Sequence, residues 1–271
     1  MNNLTVKQAY NDRPRIFKKV VLIIIALSFI IIPSILTIDF LGIEDKGIIV
    51  AKNIIKGILN PSLAFAMDFS NKGLLALLIE TAAIGFLGTL IGAVISLPLA
   101  FLSSRNIVPN YVSIIGVFII TILRTFPVFV YGIMFIMVTG PGPFAGVLTL
   151  AATSIGMCSK LFIEVIEDLE PGISEALDAS GCTTFQKIRY GIMPQLLSNI
   201  VSIIIYRYDI NVKNASVLGL VGAGGIGFPL SSAMAAGRWN DVGVLLLGLI
   251  ILVLIIEYIS TKIRVKLATG E

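Results

Sequence analysis

The side chains best suited to chemistry in this chain lie within one otherwise apolar run. Residues 206–227 read YRYDINVKNASVLGLVGAGGIG, with Arg207, Asp209 and Lys213 spaced along the run. Ionised groups are expensive inside a membrane and are candidates for function there. Asp209 precedes Lys213 by four residues, the favoured order for an ion pair on one helix face. Arg207, Asn211 and Asn214 fall on another face, because steps of four and seven residues return close to the same side. The first face can neutralise itself while the second can line a polar path; the alternative is that all three charges hold helices together. The three charges sum to +1, which suits transit of an anion. Glu80, Arg124 and Lys160 are further candidates for buried charge, and Arg124 could pair with an acid on another helix.

Other chemistry is excluded by what is missing. Histidine is absent, which removes His-dependent triads, His general bases and His metal ligands. Cys158 and Cys182 are far apart, match no zinc or thioredoxin spacing, and read as small core or helix residues. No G-x-x-x-x-G-K-[ST] run is present, so any ATP this chain uses must be bound by another chain. No catalytic residue and no metal site are expected. Gly222, Gly224 and Gly227 satisfy G-x-G-x-x-G. That fingerprint needs a soluble βαβ unit, whereas here an apolar helix precedes it and Phe228-Pro229 follows. With Gly225, the run reads better as a break between two membrane helices, where backbones approach closely or bend.

These groups must be positioned by membrane helices. The chain is 56% hydrophobic and 13% charged, with a mean hydropathy of +0.98. Soluble domains run near 45–50% apolar and about 25% charged, so a soluble enzyme, a disordered chain and a disulfide scaffold are excluded. A helix crosses the bilayer core in about 20 apolar residues. Six segments qualify: 20–38, 74–102, 112–138, 144–166, 194–218 and 242–259. The first is too long, and lacks the cleavage site, for a signal peptide. Gly140-Pro141-Gly142-Pro143 stops the third. Basic residues gather at Lys7, Arg13, Arg15, Lys18 and Lys19, at Arg105, at 187–189 and at Lys262, Arg264 and Lys266. The positive-inside rule therefore puts both termini in the cytoplasm. The opposite loops hold Lys46, Lys52, Lys56, Lys72 and Arg238; within them, 48–59 suits either an interfacial helix or an irregular loop. Small residues (Gly85, Gly88, Gly92 and Ala93, then Ala145, Gly146, Ala151, Ala152 and Gly156) signal close helix packing.

Between the fourth and fifth spans the chain reads EPGISEALDASGCTTFQKIRYGIMPQ. Pro171-Gly172 breaks the preceding helix. Ser174 can cap a new one, with Glu175 and Asp178 in its first turns where carboxylates suit the dipole. Ala176, Ala179 and Ser180 keep one surface small, Gly181 allows a turn, and a second short helix over about 185–192 ends at Pro194. The segment has the form of a docking element.

Glu175-Ala176, Gly181 six residues after Glu175, and Pro194 thirteen after Gly181 resemble the EAA loop of ABC-importer permeases. Leu177 and Met193 stand where that motif has Ala and Leu. The run 206–227 resembles phosphonate-type permeases, with Asp209 and Lys213 where Glu and Arg are expected. Glu80-Thr81, the run 97–106 and Arg124 with Pro127 add to the likeness, which covers about residue 74 onward. The resemblance implies an all-α polytopic fold of about six transmembrane helices, the methionine-permease-like transmembrane domain of a type I importer. Residues 1–72 form a tail, first span and outer loop, and 73–271 the permease core with its coupling loop at 171–194. Glu175, Ala176, Asp178, Gly181 and Pro194 are implied to couple to an ATPase. Gly222, Gly224, Gly225 and Gly227 are implied to form an outer gate. Two copies are implied to pair in a bacterial cell membrane, with two cytoplasmic ATPase subunits that bind ATP and Mg and an extracytoplasmic binding protein. The cargo implied is a phosphonate, phosphite or phosphate, moved by alternating access and with no part for nucleic acid. A permease for another small metabolite, or an ion-coupled secondary transporter, is the alternative.

Overall fold

A computed structural model of the chain describes residues 16–37, 45–68, 70 and 73–270. Lys7, Arg13, Arg15 and Lys72, which the topology argument used, lie outside the described residues, as do the side chains of Lys18, Lys46 and Ser174. The described residues are almost all helical and contain no strand. The chain divides into two compact units, 1–52 and 53–271.

In the first unit, helix α1 (Ile16–Thr37) is an apolar rod of 22 residues, long enough at about 1.5 Å per residue to cross a bilayer. Its large side chains, from Phe17 to Leu36, are exposed on every face. α2 (Asp45–Leu59) begins in this unit. The segment that sequence left open between helix and loop is therefore helical.

The second unit holds the rest of α2 and the short α3 (Leu63–Ala66). It continues with α4 (Leu74–Ser103), α5 (Asn110–Thr125), α6 (Val128–Thr139) and α7 (Pro143–Glu167). α8 (Pro171–Ala179) and α9 (Thr184–Gln186) follow. A π-helical turn over Lys187–Ile192 leads into α10 (Met193–Leu218), and α11 (Gly227–Ala235) and α12 (Trp239–Thr269) complete the unit. Among the described residues five helical stretches are long and apolar enough to span a membrane, and a sixth if α5 and α6 count as one.

That pair corrects the expectation of a continuous span over 112–138. α5 and α6 meet at 83°. Pro127 has no N–H to continue the helix, and it drives Phe126 to an extended conformation at φ −80°, ψ 126°. The carbonyl that Pro127 would have served, that of Leu123, instead accepts the Tyr131 hydroxyl at 3.0 Å.

The small-residue pattern acts where packing arguments put it. α4 and α7 lie against each other along most of their length. A side chain at Gly88 would strike Leu150, and one at Gly92 would strike Ser154. Gly85 faces Val212 of α10, and the Ser96 hydroxyl reaches the Ile155 carbonyl at 3.1 Å. Without a hydrophobic force between helices in lipid, such close backbone approach is the main source of association. One apolar core gathers Phe162, Ile166, Leu196 and Ile200 near the end that carries α8. Another gathers Ile84, Leu150 and Leu218 near the glycine run.

Candidate functional site

Three constellations carry the polar groups. The first is the segment after α7. α8 starts at Pro171 with Glu170 at the N-cap, so Ser174 lies within the helix rather than capping it. Proline suits that first position because its missing N–H would have no partner anyway. The helix ends in a Schellman motif: Cys182 N–H reaches the Leu177 carbonyl at 3.1 Å, and Gly181 N–H reaches Asp178 at 2.9 Å. Gly181 sits at φ +75°, the left-handed conformation that this motif requires. The Asp178 carboxylate then binds Lys187 Nζ at 2.8 Å, tying α8 to the π-helical turn. Thr183 and Gln186 form a capping box, with Thr183 N–H donating to Gln186 Oε1 at 2.8 Å. Leu177 lies directly over Gly191, where any side chain would collide with it. Glu175 and Ala176 are left exposed, as are Phe185 and Tyr190.

Pro194 does not end a helix, as the sequence suggested. It stands at the start of α10, and the chain runs on from α9 through the π-helical turn. There Met193 N–H bonds the Ile188 carbonyl, five residues back. A proline lacks the N–H for the next bond and crowds the preceding turn, which favours widening at that point. The bracing contacts of Lys187 and Gly191 and the Thr183–Gln186 box went unnoticed in the sequence, although T-x-x-Q is a readable helix-start signature.

The second constellation is on α10. Arg207 is 5% exposed. Its Nε donates to Ser154 Oγ at 2.9 Å, Nη2 to Thr153 Oγ1 at 2.9 Å, and Nη1 to Met157 Sδ at 2.7 Å. Asn211 is fully buried, with Nδ2 donating to Thr89 and Ser154 hydroxyls at 2.8 Å each. Neither lines an open path in this conformation: both are locked between α4, α7 and α10, and Asn214 is half-buried one turn further on. Asp209 and Lys213 do pair, at 3.3 Å, and Lys213 also binds Glu257 of α12 at 3.1 Å. Glu257 cancels the surplus charge expected from α10 alone. It was legible as an acid inside the last apolar span. The Asp209 Oδ1 and Asn211 Oδ1 atoms are buried without hydrogen-bond partners among the described residues.

The third constellation is the glycine run. Gly222, Gly224 and Gly225 have φ of +95°, +82° and +70°, so the chain turns sharply between α10 and α11. Gly227 instead opens α11 and packs against Gly219 and Ser216. The turn is pinned to α4: Gly225 N–H donates to Glu80 Oε1 and Ile226 N–H to Thr81 Oγ1, each at 2.9 Å. Gly142 N–H bonds the Gly222 carbonyl at 2.8 Å. Glu80 is half-buried, and its carboxylate accepts the Gly225 N–H. Arg124 is exposed on the surface of the chain, which corrects its reading as buried, and it makes no ion pair among the described residues. Lys160 is also partly exposed and binds Glu164 at 3.1 Å.

The described residues hold no cluster of metal-ligating side chains. The Glu80 carboxylate and the Thr81, Thr153 and Ser154 hydroxyls, bound to backbone and guanidinium groups, position helices and turns. They offer no nucleophile–base pair.

The sequence profile of the family described as binding-protein-dependent transport system inner membrane component matches residues 88–261. The chain is 33% identical over 227 residues to the phosphite transport system permease protein PtxC of Stutzerimonas stutzeri, covering 80% of this chain and 82% of that protein. It is 39% identical over 168 residues to the phosphate-import permease protein PhnE of Mycolicibacterium smegmatis, covering 62% of this chain but 31% of that one. In structure it resembles a chain of the inward-facing MetNI methionine ABC transporter, with TM-score 0.64 and 22% identity over 72% of this chain and 95% of that one. It also resembles a chain of an amino acid ABC transporter crystallised with histidines, with TM-score 0.59 and 19% identity over 85% and 99%. These two likenesses bear on the fold, an all-helical type I importer transmembrane domain. Fold and profile agree: the chain belongs to the family of binding-protein-dependent transport-system inner-membrane components, the multi-pass permease subunits of ABC importers.

Proposed function

We propose that this permease carries a phosphorus oxyanion (a phosphonate, phosphite or phosphate) into the cell. The observation that carries this reading is the 33% identity to a phosphite permease across 82% of that protein's length. In this reading two copies pair across the pathway in a bacterial cell membrane, with both termini cytoplasmic. Two ATPase subunits, which bind ATP and Mg, dock on the exposed face of α8 at Glu175 and Ala176. An extracytoplasmic binding protein delivers cargo near the glycine run.

The geometry supports a mechanical role for the two ends. The bracket of α8, Gly181 and the π-helical turn is braced by the Asp178–Lys187 ion pair and the Leu177–Gly191 contact. A push on α8 therefore passes into α10 as a rigid displacement. At the other end of α10 the glycine turn hangs from Glu80 and Thr81 by two hydrogen bonds. Closing of the ATPase pair would draw the brackets together and open the far side, the alternating-access cycle.

Uptake of labelled phosphite, phosphate and methylphosphonate into vesicles containing the permease, ATPase and binding protein tests the reading. Saturable, ATP-dependent uptake of at least one is expected. Uptake of none, or uptake of a different metabolite class, overturns the cargo. Uptake driven by an ion gradient without a co-purifying ATPase points to a secondary transporter instead.

A further inference from the structure

The charges of α10 are shut away, yet a second set of cations stands open. A cavity of about 290 Å³ is lined by Arg105, Thr121, Arg124, Lys160 and Glu167, contributed by the α4–α5 connection, α5 and α7. Its acids are already engaged. Arg105 backbone N–H donates to Glu167 Oε1 at 2.8 Å, and Lys160 binds the neighbouring Glu164 at 3.1 Å. The guanidinium groups of Arg105 and Arg124 have no carboxylate partner among the described residues. Three cations face two carboxylates.

Depth makes this cluster informative. Arg124 packs its backbone and Cγ on Gly156. Gly156 precedes Glu167, the end of α7 nearest the coupling segment, by eleven residues, or about 16 Å along the helix axis. An unpaired arginine at that depth cannot face hydrocarbon at tolerable cost. Its face must meet water or a second copy of the chain. Arg124 cannot turn inward either, since the helix contact at Gly156 is closed. A guanidinium offers a planar fork of donors that matches phosphorus–oxygen geometry, and Lys160 adds a point charge beside it. The cavity has room for a small oxyanion with several waters.

We propose that Arg124, with Lys160 and Arg105, forms the station at which a phosphorus oxyanion is held on its way to the cytoplasmic end of the permease. This rests on the oxyanion reading above. It moves the anion-contacting role from Arg207, which α7 hydroxyls and Met157 occupy, to α5 and α7. The same chemistry would attract a lipid phosphate, so the test separates the two sources.

The experiment uses the complete transporter, with ATPase and binding protein, in vesicles. Arg124→Gln is expected to reduce labelled phosphite and phosphate uptake at least tenfold while the ATPase still co-elutes, and Arg124→Lys to recover part of the loss. Uptake by Arg124→Gln within twofold of the parent chain overturns the site. In a Cys182→Ser background, with Cys158 buried, the thiol of Arg124→Cys is expected to react with a charged, membrane-impermeant thiol reagent. Added phosphate or phosphite should slow that reaction. No reaction, or no slowing by either anion while the parent chain transports them, overturns the assignment. If Arg124→Gln differs from the parent only in vesicles containing phosphatidylglycerol, and not in pure phosphatidylcholine, the ligand is a lipid headgroup and the proposal fails. Absence of uptake by the parent chain overturns the cargo reading itself, a separate result.

Discussion

Gly181 is where a single residue type is most tightly required. Nothing lies within 4 Å of the position a Cβ would take, so space does not forbid a side chain. The constraint is the backbone at φ +75°, which costs a non-glycine residue about 1–2 kcal/mol and a β-branched one more. Gly181→Val should therefore unwind the Schellman end of α8. We expect ATPase stimulation by the binding protein to fall at least fivefold while the permease still inserts; unchanged stimulation would remove Gly181 from coupling. Arg207 makes the opposite case, a side chain required for its contacts. Truncation to Ala strips donors from Ser154 and Thr153 and should cost about 2–3 kcal/mol. Thermal unfolding in detergent measures this, and Arg207→Lys should restore only part because lysine lacks the fork. That these charges sit in an apolar run was legible in sequence. Their partners were not, because Ser154, Thr153 and Met157 lie some fifty residues away in sequence.

Among the elements, the α5–α6 break shows how a proline fault is repaired. Pro127 leaves the Leu123 carbonyl without its helical partner, and Tyr131, itself 8% exposed, supplies a hydroxyl from one turn into α6. Removing that hydroxyl with Tyr131→Phe keeps the ring packing against Phe126 and leaves a carbonyl unpaired. The expected loss is about 1–3 kcal/mol of stability. A shift indistinguishable from the parent in thermal unfolding would show that the bend needs no such closure. The capping box before α9 is a smaller device: Thr183→Ala should cost about 1 kcal/mol, read as earlier proteolysis of the α8–α9 turn. Element existence was legible from apolar runs and breakers. The 83° bend was not, because two apolar helices around a proline read as one continuous span. Nor was the joining of α9 to α10, since proline signals a stop in sequence yet also suits the first turn of a new helix.

At the scale of the whole molecule, α4, α7 and α10 form one block around glycines and small hydroxyls. At Gly92 even a methyl would collide with Ser154 of α7. Gly92→Leu should separate the two helices and displace the hydroxyl network that holds Arg207 and Asn211. Overpacking alone costs about 1–3 kcal/mol, and here it would also break buried hydrogen bonds. Little complex with the ATPase should survive detergent extraction; a normal yield would show that the α4–α7 contact can relax.

Sequence alone determined the class of this protein. An apolar excess in long runs admits only membrane helices, because unpaired backbone groups cannot be left in lipid. The α8 segment was partly readable too, because one of its signals is local: a glycine just past a helix end, six residues after Glu175. Only the tertiary structure decided which charges are sealed and which are open. Arg207 and Arg124 look alike in sequence, each an arginine in an apolar helix. One is enclosed because α7 presents two hydroxyls and a sulfur to it. The other stays at the surface because its backbone and Cγ pack on Gly156, and its guanidinium makes no ion pair among the described residues.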